Sequence, residues 1–168
     1  MADRVFNVLF LCTHNSARSV MAEVLLNTIG RERFHAFSAG SMPSGRVHPF
    51  AIEKAKTLGY LTDDLRSKSW DEFARPGAPH MDIIITVCDN AAGEACPLWP
   101  LRDGNAPLKT HWGFPDPSAV EGDAHEKRRA FDQVFHAIRQ RIELLVNLQV
   151  DKLEHLALAR QLKRIHAQ

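Results

Sequence analysis

The stretch from residue 8 to 26, VLFLCTHNSARSVMAEVLL, joins an apolar run to an amphipathic one through a short polar loop. A cysteine, Cys12, stands where the apolar run ends, and Arg18 follows six positions later at the start of a helical period. Residues 5–11 (VFNVLFL) are apolar without alternation, the pattern of a strand buried on both faces. Ala17, Met21, Val24, Leu25 and Thr28 then recur at helical spacing and stop at Gly30. In an open parallel sheet the ligand crevice lies outside the carboxyl ends of the strands, where the next helix points its free N–H groups. The opening stretch occupies that place. Residues 13–18 would curl into a loop of amides, an anion cradle. Its positive potential, helped by Arg18, is expected to lower the Cys12 pKa and supply a thiolate at neutral pH. Arg18 would grip an oxyanion through two parallel hydrogen bonds, as suits phosphate and its isosteres. The plainer alternative is a buried core thiol beside a solvated arginine, since C-x5-R alone arises often by chance.

The same alternation continues along the chain. Residues 81–88 (MDIIITVC) have the doubly buried strand pattern, with weaker strands at 34–38 (FHAFS) and 108–112 (LKTHW). Pro49, Ile52, Ala55 and Leu58 mark a helix that stops at Gly59, and Phe131, Val134, Phe135, Ile138, Ile142 and Leu145 mark a late one. The late helix is drawn as able to run on into a basic amphipathic tail carrying Leu153, Leu156, Ala159, Leu162 and Ile165. The pattern predicts an α/β domain: a doubly wound, four-stranded parallel sheet with helices on both faces. We expect one such domain over residues 1–150 and a helical C-terminal extension over 151–168. Segments 73–80 (FARPGAPH) and 97–117 are rich in Pro and Gly and are taken as loops, not linkers.

Composition limits the setting. The 168 residues carry 21 Lys+Arg against 20 Asp+Glu, a formal charge of +1, so no global field recruits nucleic acid or an anionic membrane. The opening MADRVF has no signal-peptide core, and no apolar run approaches the roughly 20 residues of a membrane span. A cytoplasmic protein is expected. Three cysteines, Cys12, Cys88 and Cys96, form no CxxC pair, which argues against a disulfide framework or a zinc finger. His80 and His111 beside Cys88 match no known ligand set, so no metal is expected.

CTHNSARS, residues 12–19, resembles the C-x5-R-S phosphate loop of the low-molecular-weight protein tyrosine phosphatase family, and HWGFPDPS, residues 111–118, resembles its Asp-Pro signature. The resemblance spans roughly residues 5–145. It implies Cys12 as nucleophile, Arg18 as oxyanion clamp, Ser19 as support for the thiolate and Asp116 as general acid. Thr13, His14, Asn15, Ser16, Ala17 and Arg18 would form the oxyanion-binding loop, braced by Asn15 and Ser38. Many members carry a second cysteine where this chain has Ala17, so protection of Cys12 against overoxidation would fall to Cys88. His14 stands where glycine is common and is expected to face solvent. Trp99 and Trp112 flank the functional loops and would either line the crevice or, more commonly, provide hydrophobic cover.

Two branches of this fold differ in chemistry: hydrolysis of phosphate monoesters, and reduction of arsenate to arsenite. A phosphatase breaks its cysteinyl intermediate with water, whereas a reductase needs a second sulfur to attack the first. The segment VCDNAAGEACPLWP, residues 87–100, resembles the redox segment of the arsenate reductase branch. Cys88, ending a strand, would approach Cys12 ending another, and Cys96 would carry the disulfide outward. Ser118 and Ala119 follow Asp-Pro where the phosphatases usually place aromatic residues. The resemblance therefore implies an arsenate reductase with a three-cysteine relay, the alternative being a low-molecular-weight tyrosine phosphatase. No tightly bound cofactor is expected. The implied partners are an arsenate or phosphate-like oxyanion and an external thiol reductant, thioredoxin or glutathione with glutaredoxin. A third class, a catalytically idle anion or partner sensor docking through the basic tail at 152–166, is disfavoured by the joint presence of Cys12, Arg18, Ser19 and Asp116.

Overall fold

The computed structural model describes residues 5–88, 99, 101, 106–148 and 155–167, with the side chains of 155–157 and 167 outside the description. Four parallel strands form one sheet in the order β2-β1-β3-β4: β1 Phe6–Cys12, β2 Phe34–Gly40, β3 Ile83–Thr86 and β4 Leu108–His111. The chain leaves β1 toward β2, then returns past β1 to β3, so the topological switch point lies at the carboxyl end of β1. Register fixes what gathers there. Cys12 pairs with Gly40, and Leu11 pairs with Thr86.

The strand at 81–88 is shorter than its apolar run implies. Ahead of it, Asp82 is drawn into local pairing, its carboxylate accepting from the Asn7 amide at 2.9 Å. After it, Val87 still donates to the Leu11 carbonyl at 2.9 Å, but its own carbonyl accepts from Phe114 at 3.2 Å, turning the ladder into a loop contact. Cys88 thus sits two residues beyond β3, at the rim of the sheet.

Among the described residues four α-helices cover one face: α1 Arg18–Ile29, α2 Pro49–Thr57, α3 Ala124–Val146 and α4 His155–Ala167. Val8, Phe10, Ile83 and Ile85 meet Leu25, Phe131, Ile138, Ile142, Leu158 and Leu162 there in the main core. Each such buried side chain contributes about 1.5–3 kcal/mol by leaving water. The opposite face holds Leu9, Leu11 and Ile84, covered among the described residues by Trp99 and Phe73 of a short 3-10 turn, Trp70–Phe73. Both faces of β1 are buried, which is why its sequence does not alternate.

The late helix does not run on into the tail. It stops at Val146, where Arg33 Nη2 donates to the carbonyls of Val146 and Leu148 at 2.7 and 2.5 Å, satisfying helix-end acceptors from outside. The tail is a separate helix, α4, packed on β4 and α3, with Leu158, Leu162 and Ile165 in the main core. Of the expected apolar stripe, Leu153 lies outside the described residues, as does the Leu156 side chain. Among the described residues no helix is long and apolar enough to cross a membrane.

Candidate active site

Residues 13–17 connect β1 to α1 with their carbonyls turned outward. Met42 N–H donates to the Thr13 carbonyl at 2.9 Å, Ser44 N–H to that of His14 at 3.0 Å, and His48 N–H to that of Ser16 at 2.8 Å. Ser67 Oγ adds a second bond to the His14 carbonyl at 2.9 Å. With those carbonyls held outside, the loop's amides are left to the inner side. Asn15 supplies the reversal that this requires, with φ of 49°, in the left-handed region that asparagine tolerates. Ala17 stands at the N-cap position of α1 without a side-chain hydrogen bond, so no cap competes for the first-turn amides. An anion cradle requires a loop held in this way.

Three residues brace it. Asn15 is fully buried, donating from Nδ2 to Ser19 Oγ at 2.8 Å and accepting at Oδ1 from the Lys68 amide at 2.9 Å. Ser38 acts one step further away, donating to Glu23 Oε1 at 2.7 Å, and Lys68 Nζ lies 3.8 Å from that same oxygen. Burial pushes the Glu23 carboxyl up and the Lys68 ammonium down, and their mutual attraction opposes both. Neither Glu23 nor Lys68 has a sequence signal, since they lie far apart in the chain and sit in no motif. Gly40 was also missed. A Cβ there would strike the Thr13 carbonyl oxygen and come 2.8 Å from that of Cys12, both backbone atoms that cannot swing aside.

Across the crevice, β4 leads into the segment that carries Asp116. Arg18 Nη1 donates to the Phe114 carbonyl at 3.0 Å, and Arg18 Nη2 lies 3.7 Å from Asp116 Oδ2. The other carboxylate oxygen accepts from Ser118 N and Ser118 Oγ at 2.9 and 2.6 Å, capping the 3-10 turn Pro117–Ala119. Asp116 is therefore both a turn residue and a group facing the cradle. His48 caps α2 through its ring nitrogen at 3.1 Å from Phe50 N and stacks on Phe131. Burial pushes it below the ordinary histidine range against the pull of the Asp116 carboxylate.

Cys12 and Cys88 are both buried thiols, Cys88 near enough to bear on the Cys12 proton, with Thr13 Oγ1 3.7 Å from Cys88 Sγ. The expectation that the cradle lowers the Cys12 pKa is reversed in this state. The Cys88 hydrogen bond and burial push the Cys12 thiol up, and the Arg18 charge and the Thr13 amide pull against them without prevailing. Cys96, with the segment before it, lies outside the described residues.

His14 is exposed, its Nδ1 3.1 Å from the Met42 carbonyl. Trp112 does not line the crevice; it is buried against Phe10 and donates to the Leu162 carbonyl at 3.4 Å. Trp99 is likewise buried under the opposite face. His111 Nδ1 lies 2.7 Å from Thr86 Oγ1, and His80 faces Asp82 at 3.9 Å. Among the described residues no group of three His, Cys, Asp or Glu is placed to hold a metal ion.

A parallel sheet with a cysteine, an amide loop and an arginine at its switch point defines a fold class, and sequence comparison names it. Residues 7–161 match the low molecular weight phosphotyrosine protein phosphatase family, and the chain belongs to that family. Its curated relatives include arsenate reductases. That of Halalkalibacterium halodurans is 33% identical over 136 residues, covering 81% of this chain and 91% of the relative. That of Bacillus subtilis is 31% identical over 136 residues, with the same coverage of 81% and 91%. Among solved structures, an arsenate reductase in the phosphate binding state superposes with a TM-score of 0.63 at 25% identity, covering 84% of this chain and 97% of that one. A thioredoxin-dependent arsenate reductase of Corynebacterium glutamicum superposes with a TM-score of 0.52 at 25% identity, covering 86% of this chain and 65% of that one.

Proposed function

We propose that the protein reduces arsenate to arsenite in a reducing, cytoplasmic setting. The observation that carries this reading is a second buried thiol beside Cys12: Cys88 lies just past the strand that pairs with β1, its Sγ 3.7 Å from the hydroxyl of Thr13, the residue next to Cys12. A phosphatase of this fold completes its turnover with water and needs no second sulfur to do so, whereas a reductase cannot finish without one. The relatives named arsenate reductase support the same reading.

In this reading arsenate, tetrahedral and anionic, sits on the loop amides of residues 13–18 and the Arg18 guanidinium. The Cys12 thiolate attacks arsenic, and Asp116 protonates the departing oxygen, which leaves as water. Ser19 Oγ, oriented by Asn15, supports the thiolate. The Cys88 thiolate then attacks Cys12 Sγ. The electron pair of the sulfur–arsenic bond passes to arsenic, As(V) becomes As(III), and arsenite leaves a Cys12–Cys88 disulfide. Cys96 attacks Cys88, freeing Cys12 and placing the disulfide on Cys88 and Cys96. An external dithiol returns two electrons to that bond. We assign this role to a thioredoxin-type protein, which the thioredoxin-dependent structural neighbour supports. Glutathione with glutaredoxin is the competing source.

The test is arsenite production from arsenate with each reductant system, beside p-nitrophenyl phosphate hydrolysis. Arsenite formed catalytically with thioredoxin supports the assignment. Ester hydrolysis far faster than arsenate turnover with either reductant would replace it with a phosphatase.

A further inference from the structure

We propose that α4, the C-terminal helix, is a positioning element for the general acid: through Trp112 it fixes the root from which residues 112–116 carry Asp116 toward Arg18. The inference rests on the reading of Asp116 as the acid. The family match covers residues 7–161, and Leu162, Ile165 and His166 lie outside the matched residues.

The chain of contacts is short. Trp112 immediately follows β4, and its amide donates to the Thr86 carbonyl at 2.8 Å, extending the ladder by one residue. Its indole is 1% exposed, set against Phe10 on one side, with Nε1 donating to the Leu162 carbonyl at 3.4 Å on the other. Leu162 is fully buried and belongs to the same core. One residue earlier, the His111 ring lies 5.5 Å from that of His166 in the last turn of α4. Downstream, Phe114 is tied on both of its backbone groups, its amide to Val87 and its carbonyl to Arg18. Two residues later comes Asp116, 3.7 Å from the same guanidinium. Among the described residues no hydrogen bond or ion pair is seen between α4 and residues 12–18, whose loop carbonyls are held by Met42, Ser44, Ser67 and His48. Loosening α4 should therefore move the acid and spare the anion site. A bulky indole is a rigid spacer, and a small shift at its base displaces a carboxylate that must meet a leaving oxygen at hydrogen-bond distance.

The experiment is a double-mutant cycle in the full-length protein. Leu162→Ala should lower kcat for arsenate about tenfold with KM within about twofold, because misplacing an acid forfeits part of the 10²–10⁴-fold that such groups supply. In an Asp116→Asn background the same substitution should cost less than about twofold, since no acid remains to misplace. Equal losses in both backgrounds would overturn the proposal and leave α4 a stability element. Trp112→Phe, which keeps an aromatic ring but removes the pyrrole half of the indole with its N–H, serves as a second variant and should show the same non-additivity. Backbone amide exchange provides a readout that needs no turnover. In Leu162→Ala, amides of residues 113–120 should exchange faster while those of 13–18 do not change. Uniform acceleration in both segments, or none at 113–120, would overturn the proposal even if the wild-type protein reduced no arsenate. Absence of arsenate turnover in the wild type together with selective exchange at 113–120 would remove the reductase reading and leave the positioning role standing.

Discussion

Arg18 holds two parts of one loop at once: Nη1 is bonded to the Phe114 carbonyl at 3.0 Å, and Nη2 faces Asp116 at 3.7 Å. In the proposed reaction the arginine at the start of α1 serves as oxyanion ligand, and its contacts make it an anchor for the segment that carries Asp116. Only a forked, planar cation does both, because each guanidinium nitrogen addresses a different oxygen.

That double duty predicts a severe phenotype for a conservative change. Arg18→Lys should cost roughly 10²–10³-fold in kcat/KM for arsenate, the range seen when a preorganised oxyanion donor is removed. An ammonium cannot reach Phe114 and a bound anion together. Inhibition by sulfate and phosphate should weaken in parallel. Retained turnover with unaltered sulfate inhibition would remove the clamp role.

Gly40→Ala tests the wall behind the loop. The added methyl meets the carbonyl oxygens of Thr13 and Cys12, both backbone, so the loop or the end of β2 must shift. Overpacking of this kind costs about 1–3 kcal/mol. We expect a lower urea midpoint together with weaker sulfate protection of Cys12 against alkylation. A stability loss with sulfate protection intact would show that β2 gives way and the loop does not.

Glu23 and Lys68 make stability depend on pH in a defined direction. Burial raises the folded-state pKa of Glu23 above its unfolded value of about 4.3. The folded chain holds that proton more tightly, so the stability it contributes is complete below the unfolded pKa and is lost as pH rises through the folded one. Lys68 limits the loss by pulling the carboxyl down. Lys68→Met removes the pull, so urea unfolding should show a steeper decline in stability from pH 5 to pH 8 than in the wild type. An unchanged slope would mean that the Glu23 charge is compensated elsewhere.

The elements of this fold were legible because β1 and α1 are unusually explicit: an apolar run without alternation, a polar loop, then helical spacing with no cap residue. The placement of Cys12 at the end of β1 and of Arg18 at the start of α1 was legible through motif and position. What escaped was whatever depends on contact between distant segments. The Lys68 amide reaching Asn15, the Met42, Ser44 and Ser67 donors that turn the loop carbonyls outward, and the Glu23–Ser38 bond all join segments that no local pattern relates. The end of the late helix escaped for the same reason, since Arg33, more than a hundred residues earlier, terminates it at Val146. For Trp112 the two expected roles were lining the crevice and, more commonly, hydrophobic cover; its side chain at the end of β4 went to the core, the second of them.

Reversal of the expected Cys12 shift yields a prediction of its own. The largest influence raising the Cys12 thiol is its hydrogen bond with Cys88, and Arg18 is the main influence lowering it. Cys88→Ala deletes the first and keeps the second. Alkylation of Cys12 by iodoacetamide, followed by peptide mass mapping to separate it from Cys96, should therefore take hold at lower pH in Cys88→Ala than in the wild type. A midpoint that stays put or rises would show that burial alone sets the Cys12 proton.

The relay separates reductase from phosphatase, and its intermediates can be trapped one at a time. If Cys88 attacks the Cys12 adduct, then Cys88→Ser should stall with arsenic on Cys12 and release no arsenite from a reaction without external thiol. If Cys96 then attacks Cys88, Cys96→Ser should release at most one arsenite per protein and leave a Cys12–Cys88 disulfide, visible as a crosslinked peptide pair. The first bond joins two thiols that are already neighbours, since Cys88 Sγ lies 3.7 Å from Oγ1 of Thr13, the residue next to Cys12. The second requires the Cα atoms of Cys88 and Cys96 to come within about 7 Å of one another. A reductant should restore the Cys96→Ser protein slowly, because the trapped disulfide lies where Cys12 and Cys88 are 4% and 3% exposed and an attacking thiolate has no direct line to either sulfur. Wild-type protein under the same conditions should instead accumulate the Cys88–Cys96 pair and be restored quickly by thioredoxin. Sustained turnover in both serine variants would sink the relay and leave an external thiol attacking the Cys12 adduct directly.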